Sequence, residues 1–128
     1  MWTLVPRLEG EHIISTKWIF RNKTDEEVNV IHNKTRLVAQ GYSQMEGVDY
    51  DETFAPVARM ESIKILLALA CQLKFKLYQM DLKTAFLNGL LKEDVYVAQS
   101  KGFIDPHFPN HVLYLKKALY GLKQASRA

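Results

Sequence analysis

Residues 63, 66, 67, 70 and 73 are apolar at helical spacing, and this stripe, from about Met60 to Leu73, predicts the chain's one long helix. Ile65 and Leu69 widen the stripe, so the helix is expected to be covered on more than one side. Before it, Thr16–Arg21 alternates polar with apolar residues and is rich in strand formers. The polar stretch Lys23–Asn29 turns the chain, and Val30–Gln40 returns as a strand, predicting a hairpin. Residues 41–58 read as a loop, punctuated by Gly41, Gly47 and Pro56 and carrying Asp49, Asp51 and Glu52. After the helix, Phe75–Leu82 reads as a strand and Thr84–Asn88 as a helical turn closed by Gly89. Val95–Val97 and His111–Lys116 read as further strands around a loop with Pro106 and Pro109, and a helix is expected to start at Gly121. A hairpin followed by mixed strands and helices predicts an α+β or α/β class, and 128 residues suffice for one domain.

Charge is distributed unevenly. Arg59 to Lys92 holds six basic residues against Glu61 and Asp81, and Lys116, Lys117, Lys123 and Arg127 close the chain with no acid. Leu37 to Ala58 holds four acids and no base. The basic segments suit a phosphate backbone or simply solvate exposed faces, and charge alone does not choose. The longest apolar run, Ile65–Cys71, has seven residues, against the roughly 20 of a membrane span. No membrane partner is therefore expected, and the N-terminus lacks the order of a secretory signal. Cys71, the single cysteine, allows no internal disulfide and points to a reducing, intracellular compartment. It lies in the apolar helix and is expected to be a buried, inert thiol.

Asp81 ends the strand in Tyr78-Gln79-Met80-Asp81-Leu82-Lys83 and reads two ways. A carboxylate at a strand's C-terminal end can hold a hard cation, and it can equally cap the turn that follows. Asp49, Asp51 and Glu52 lack the spacing of a calcium loop and read as solvated loop acids. His107 and His111 are four apart, but Pro109 between them argues against a helical zinc pair. Lys34 and Arg36, two apart on a strand, share one face, which suits a phosphate grip or plain solvent. Lys123 and Arg127, four apart after Gly121, are again consistent with phosphate.

Five segments carry a resemblance. They are Thr16–Lys23 (Thr-Lys-Trp-Ile-Phe-Arg-Asn-Lys), Lys34–Gln44 (Lys-Thr-Arg-Leu-Val-Ala-Gln-Gly-Tyr-Ser-Gln), Asp51–Arg59 (Asp-Glu-Thr-Phe-Ala-Pro-Val-Ala-Arg), Gln79–Gly89 (Gln-Met-Asp-Leu-Lys-Thr-Ala-Phe-Leu-Asn-Gly) and Leu115–Gln124 (Leu-Lys-Lys-Ala-Leu-Tyr-Gly-Leu-Lys-Gln). In this order and spacing, from near residue 2 to the last residue, the chain resembles the copia-type retrotransposon reverse transcriptases. The resemblance implies an α+β, partial right-hand polymerase fold, with residues 1–58 fingers-like and 59–128 a truncated palm. Asp81 would be the first catalytic aspartate, binding Mg²⁺ (two ions in the complete enzyme) together with the Leu82 backbone carbonyl. Lys34 and Arg36 would hold the incoming deoxynucleoside triphosphate. Tyr120 and Gly121 would pack against the nucleotide, and Phe86 would lie under the sugar and exclude a 2′-hydroxyl. Lys116, Lys117, Lys123 and Arg127 would meet nucleic acid. The implied partners are an RNA or DNA template with primer, deoxynucleotides and the rest of a Pol polyprotein, in cytoplasmic virus-like particles if the element is active.

Departures from the family pattern are also present. Ser126 stands where the family has proline, Ala98 and Ser100 replace Glu and Pro, and Ser15 stands where Gly is frequent. No Tyr-x-Asp-Asp segment and no thumb follows within these residues. The palm sheet is therefore expected to be incomplete, with unpaired edges around Met80 and Val112–Leu115, and Mg²⁺ is not expected to bind tightly. A rival expectation follows: a catalytically dead retroelement remnant, at most a weak nucleic-acid-binding module.

Overall fold

The computed structural model describes residues 1–128. Two sheets organise it. Residues Thr16–Thr24 (β3) and Val30–Ala39 (β4) form a long antiparallel hairpin in the register Trp18↔Leu37 and Arg21↔Lys34. Its turn is closed by Asp25, whose carboxylate accepts from the Glu27 and Asn29 backbone N–H groups. This is the Asx-type turn chemistry that a short polar run supplies.

A second sheet has four strands in the order β1-β6-β5-β2. Leu90–Ala98 (β5) and Val112–Lys117 (β6) form its antiparallel centre. Trp2–Val5 (β1) adds antiparallel to β6, and Ile13–Ile14 (β2) adds parallel to β5. Gln99 ties down the loop between the central strands, donating to the Phe108 and His111 carbonyls and accepting from Asp105 N–H. Tyr114 donates to Asp94 across the β5–β6 pair, and that hydrogen bond holds its phenol above the usual value. The core is small. Ile14, Val95, Val97 and Leu115 from this sheet pack with Ala118, Leu119, Leu122 and Ala125 and with Ala39 of the hairpin.

Met60–Leu73 (α1) forms where its periodicity predicts, but it is not covered. Only Ala70 is buried, while Ile65, Leu66, Leu67 and Leu73 are each more than half exposed. Cys71 is exposed too, not the buried thiol its neighbours suggest. The stripe has the right spacing, but apart from Ala70 it stays open. Phe75–Leu82 is likewise irregular and exposed, not a strand. A strand needs a neighbour, and the sheet edges are occupied by β1 and β2 without taking this segment. The expected bare edge at Val112–Leu115 is absent for the complementary reason. Trp2–Val5, which the sequence did not announce as a strand, fills it. After Gly121 the chain makes one 3-10 turn, Lys123–Ala125, in place of a longer helix.

The chain exposes 10145 Å², whereas a compact chain of 14.8 kDa exposes about 7,000 Å². The excess sits on α1, on Phe75–Leu82 and on the hairpin. No helix is long and apolar enough to cross a membrane. The isolated chain is expected to bind a hydrophobic dye and to self-associate, with a broad thermal transition. A sharp, reversible two-state transition from a monomer in sedimentation and calorimetry contradicts this.

Candidate functional site

The site is built where the hairpin meets the segment after β6. The Ala39 N–H donates to the Tyr120 carbonyl at 2.7 Å, and the Gln40 N–H donates to the Ser15 carbonyl at 2.8 Å. Gly121 has φ +91°, and a Cβ there would lie 2.2 Å from the Ala39 oxygen. A Cβ on Gly41 would in turn lie 2.0 Å from the Gly121 oxygen. The two backbones touch, and only glycine permits it on either side.

Buried amides fix this crossing. Gln124 is fully buried; its side chain accepts from Gln44 at 3.0 Å and donates to the Asp49 carbonyl at 2.8 Å. Gln44 also accepts the Lys123 backbone N–H at 2.8 Å. The Asp49 carboxylate meets His12 at 2.6 Å and accepts the Met45 N–H at 2.7 Å. Asp49 is therefore a buried staple, not a solvated loop acid, whereas Asp51 and Glu52 are exposed. A buried amide that lost these partners would leave polar groups unpaired, at about 1–3 kcal/mol each. Neither alternation nor spacing in the sequence marks Gln44, Gln124 or His12.

The crossing brings Lys34 and Arg36 of β4 to a cavity of about 720 Å³ that Asp81, Leu82 and Tyr120 also line. Trp2, Lys83 and Leu119 complete much of its wall. The Arg36 guanidinium lies 5.7 Å from the Tyr120 ring centroid, a cation–π contact that orients it. Asp81 is exposed and has no hydrogen-bond partner or ion pair, so its carboxylate is free to take a ligand. Beside it Thr84 has φ +57°, an uncommon conformation for a β-branched residue and a form of strain that gathers at functional sites.

Phe86 does not line this cavity. It lies against Tyr120, edge to face at 5.9 Å, and lines a neighbouring cavity of about 670 Å³ with Tyr50, Phe54 and Gly121. Lys123 and Arg127 are engaged within the chain. Lys123 donates to the Tyr50 hydroxyl at 2.9 Å, and Arg127 pairs with Glu93. Lys116 and Lys117 lie on β6, the first exposed and the second half-buried. Ser126 donates its hydroxyl to the Phe54 carbonyl. His107 and His111 make no metal group, and no three His, Cys, Asp or Glu side chains converge anywhere.

Three cations (Lys34, Arg36 and Lys83), one free carboxylate and an aromatic wall around one cavity make a site for a polyanion beside a hard cation. The comparisons define that class further. A reverse transcriptase (RNA-dependent DNA polymerase) family profile matches residues 1–128. Among curated proteins, the chain is 47% identical over 128 residues to the Retrovirus-related Pol polyprotein from transposon RE1 of Arabidopsis thaliana. It is 44% identical to that from transposon RE2 of the same plant and 42% identical, over 126 residues, to that from transposon TNT 1-94 of Nicotiana tabacum. These alignments cover 98–99% of the chain but only 9–10% of each relative. No solved structure matches. The chain belongs to the copia-type reverse transcriptase family carried in retrotransposon Pol polyproteins.

Gly121→Ala is expected to destabilise the chain by about 2–4 kcal/mol, from left-handed strain plus the clash with Ala39. Equilibrium denaturation reads this, and a change below about 0.5 kcal/mol contradicts the glycine contact.

Proposed function

We propose that these residues form the nucleotide-facing part of an RNA-directed DNA polymerase of right-hand architecture, working within a Pol polyprotein on an RNA or DNA template with primer. In this reading the hairpin belongs to the fingers, and residues 59–128, with Asp81, belong to the palm, whose sheet Trp2–Val5 and Ile13–Ile14 complete from the N-terminal part. Lys34 and Arg36 grip the triphosphate of the incoming deoxynucleotide, and Tyr120 holds the Arg36 guanidinium in place. The observation that supports it is the cavity at which Lys34, Arg36, Asp81 and Tyr120, from three separate sequence blocks, stand together.

Mg²⁺ is commonly held by one or two carboxylates, water and substrate phosphates. Asp81, with the Leu82 carbonyl, is a fitting donor pair for such an ion next to a triphosphate. Bound there, the metal would activate the primer hydroxyl and neutralise charge on the leaving pyrophosphate. A single carboxylate is too few to site two ions, so the 128 residues alone have no polymerase activity. Lys116, exposed on β6, faces the nucleic acid, and Lys117, on the opposite face of the strand, does not. Phe86 packs behind Tyr120 and sets the position of that ring, so exclusion of a 2′-hydroxyl acts through Tyr120.

In the polymerase that carries this chain, Asp81→Asn should abolish Mg²⁺-dependent primer extension. Phe86→Val should raise relative kcat/KM for ribonucleotides by about 10-fold or more, near 1.4 kcal/mol. Equal loss of both substrates, or a large fall in melting temperature, makes Phe86 a core residue only. Extension by the purified 128-residue chain, lost in Asp81→Asn, contradicts the inactivity of the chain alone.

A further inference from the structure

The Arg36 guanidinium is oriented by the Tyr120 ring and pairs with no carboxylate of the chain. Its place therefore depends on how the hairpin is set against the segment that carries Tyr120. Two strands without a third are marginal in water, so the hairpin does not set itself. Glycine at positions 41 and 121 lets the two backbones touch, and the bond from the Ala39 N–H to the Tyr120 carbonyl joins them at a point.

The side chains that hold the crossing beyond that point converge on Asp49. Its carboxylate meets His12 Nδ1 at 2.6 Å and accepts the Met45 N–H at 2.7 Å, while its carbonyl accepts from the Gln124 amide at 2.8 Å. Gln124 accepts from Gln44 at 3.0 Å, and Gln44 accepts the Lys123 N–H at 2.8 Å. The loop between is drawn tight, with the Asp49 N–H donating to the Met45 carbonyl and the Gly47 N–H to the Tyr50 carbonyl, both at 2.9 Å. An unbroken chain of hydrogen bonds thus runs from His12, just before β2, to Lys123 and Gln124, just beyond Tyr120.

Stability alone gives no reason for a carboxylate here. Asp49 and Gln124 are buried, and well-packed apolar residues in such places are often as stable or more so. A fully paired polar set supplies instead a single arrangement, because each group accepts few placements of its partners. Apolar packing would let the segments slip, and a misplacement of about 1 Å can cost an active site on the order of 100-fold.

We propose that Asp49 and His12 are positioning residues for the nucleotide cavity. Through Gln124 and Gln44 they fix the Tyr120 backbone against the hairpin, and so fix where Arg36 meets the incoming triphosphate. Neither side chain lines the cavity. The inference rests on the polymerase reading given above and adds two residues that act on the nucleotide without touching it.

Steady-state primer extension by the polymerase that carries this chain tests it, with Asp49→Asn, His12→Leu and His12→Lys, each alone and combined with Arg36→Ala. Asp49→Asn and His12→Leu are expected to raise the KM for deoxynucleotide about tenfold, below the roughly 100-fold cost of a full ångström. Both kcat and primer–template affinity should stay within about twofold, the pattern of lost nucleotide binding. His12→Lys, which returns a cationic donor to Asp49, should bring KM back to within about twofold of the parent. In the Arg36→Ala background the same substitutions should add less than about twofold, because groups that act through one residue are not additive. A joint fall in kcat, primer–template affinity and melting temperature marks a merely structural role and overturns the proposal. An unchanged KM, or a KM rise that persists in full without Arg36, overturns it too. Where Asp49→Asn yields no folded protein, His12→Leu decides, since the His12 side chain is only part-buried. Arg36→Ala separates the two readings. If it raises KM while the Asp49 and His12 variants do not, the positioning role fails and the polymerase reading stands; if it leaves KM unchanged, the polymerase reading itself fails.

Discussion

The backbone contact between Gly41 and Gly121 is the constraint on which the rest depends. It lets the Ala39 N–H reach the Tyr120 carbonyl, so the hairpin lies against the segment that leaves the four-stranded sheet. The buried Gln44–Gln124 pair then holds the crossing laterally. Without it Lys34 and Arg36 would project from a free two-stranded hairpin, which is marginal in water. With it they stand at a cavity with Asp81 and Tyr120. A side chain as small as alanine at either glycine would separate the two halves of the site.

Electrostatics and packing pull apart in this molecule. The compact region is the four-stranded sheet and the turn after it, where eight of the nine clustered core residues lie. The hairpin and α1 extend from it with apolar or cationic faces open. The chain spans about a tenth of the length of the curated relatives it matches. An amphipathic helix such as α1 forms from local periodicity, and its apolar stripe here stays open apart from Ala70.

Much of this was legible in the residues. The hairpin and the bounds of α1 follow from period-2 and period-3.6 patterns, and the short turn before Gly89 from its residues. Phe75–Leu82 was not, because its apolar alternation signals a strand only when a partner strand exists. Trp2–Val5 was missed because four residues ending at Pro6 show too little pattern, yet they seal the edge of β6. Asp49 was misread because a loop acid looks solvated until the loop is seen folded under His12 and Gln124. In the candidate site, the shared face of Lys34 and Arg36 could be read from spacing alone. Asp81 could be read from its place as a cation ligand or a cap, and the family resemblance chose between them; the role proposed for Tyr120 came only with that resemblance, and the placement of Phe86 behind Tyr120 only with the structure.

The central claim is that Arg36 and Asp81, 45 residues apart by their numbers, act on one bound nucleotide. A double-mutant cycle tests it most directly, measuring deoxynucleoside triphosphate affinity in the presence of Mg²⁺ for Arg36→Ala, Asp81→Asn and the pair in the polymerase that carries this chain. One shared site predicts non-additive losses, with a coupling of at least about 1 kcal/mol through the triphosphate–metal unit. Losses that add to within about 0.3 kcal/mol would contradict it, because independent sites show no coupling.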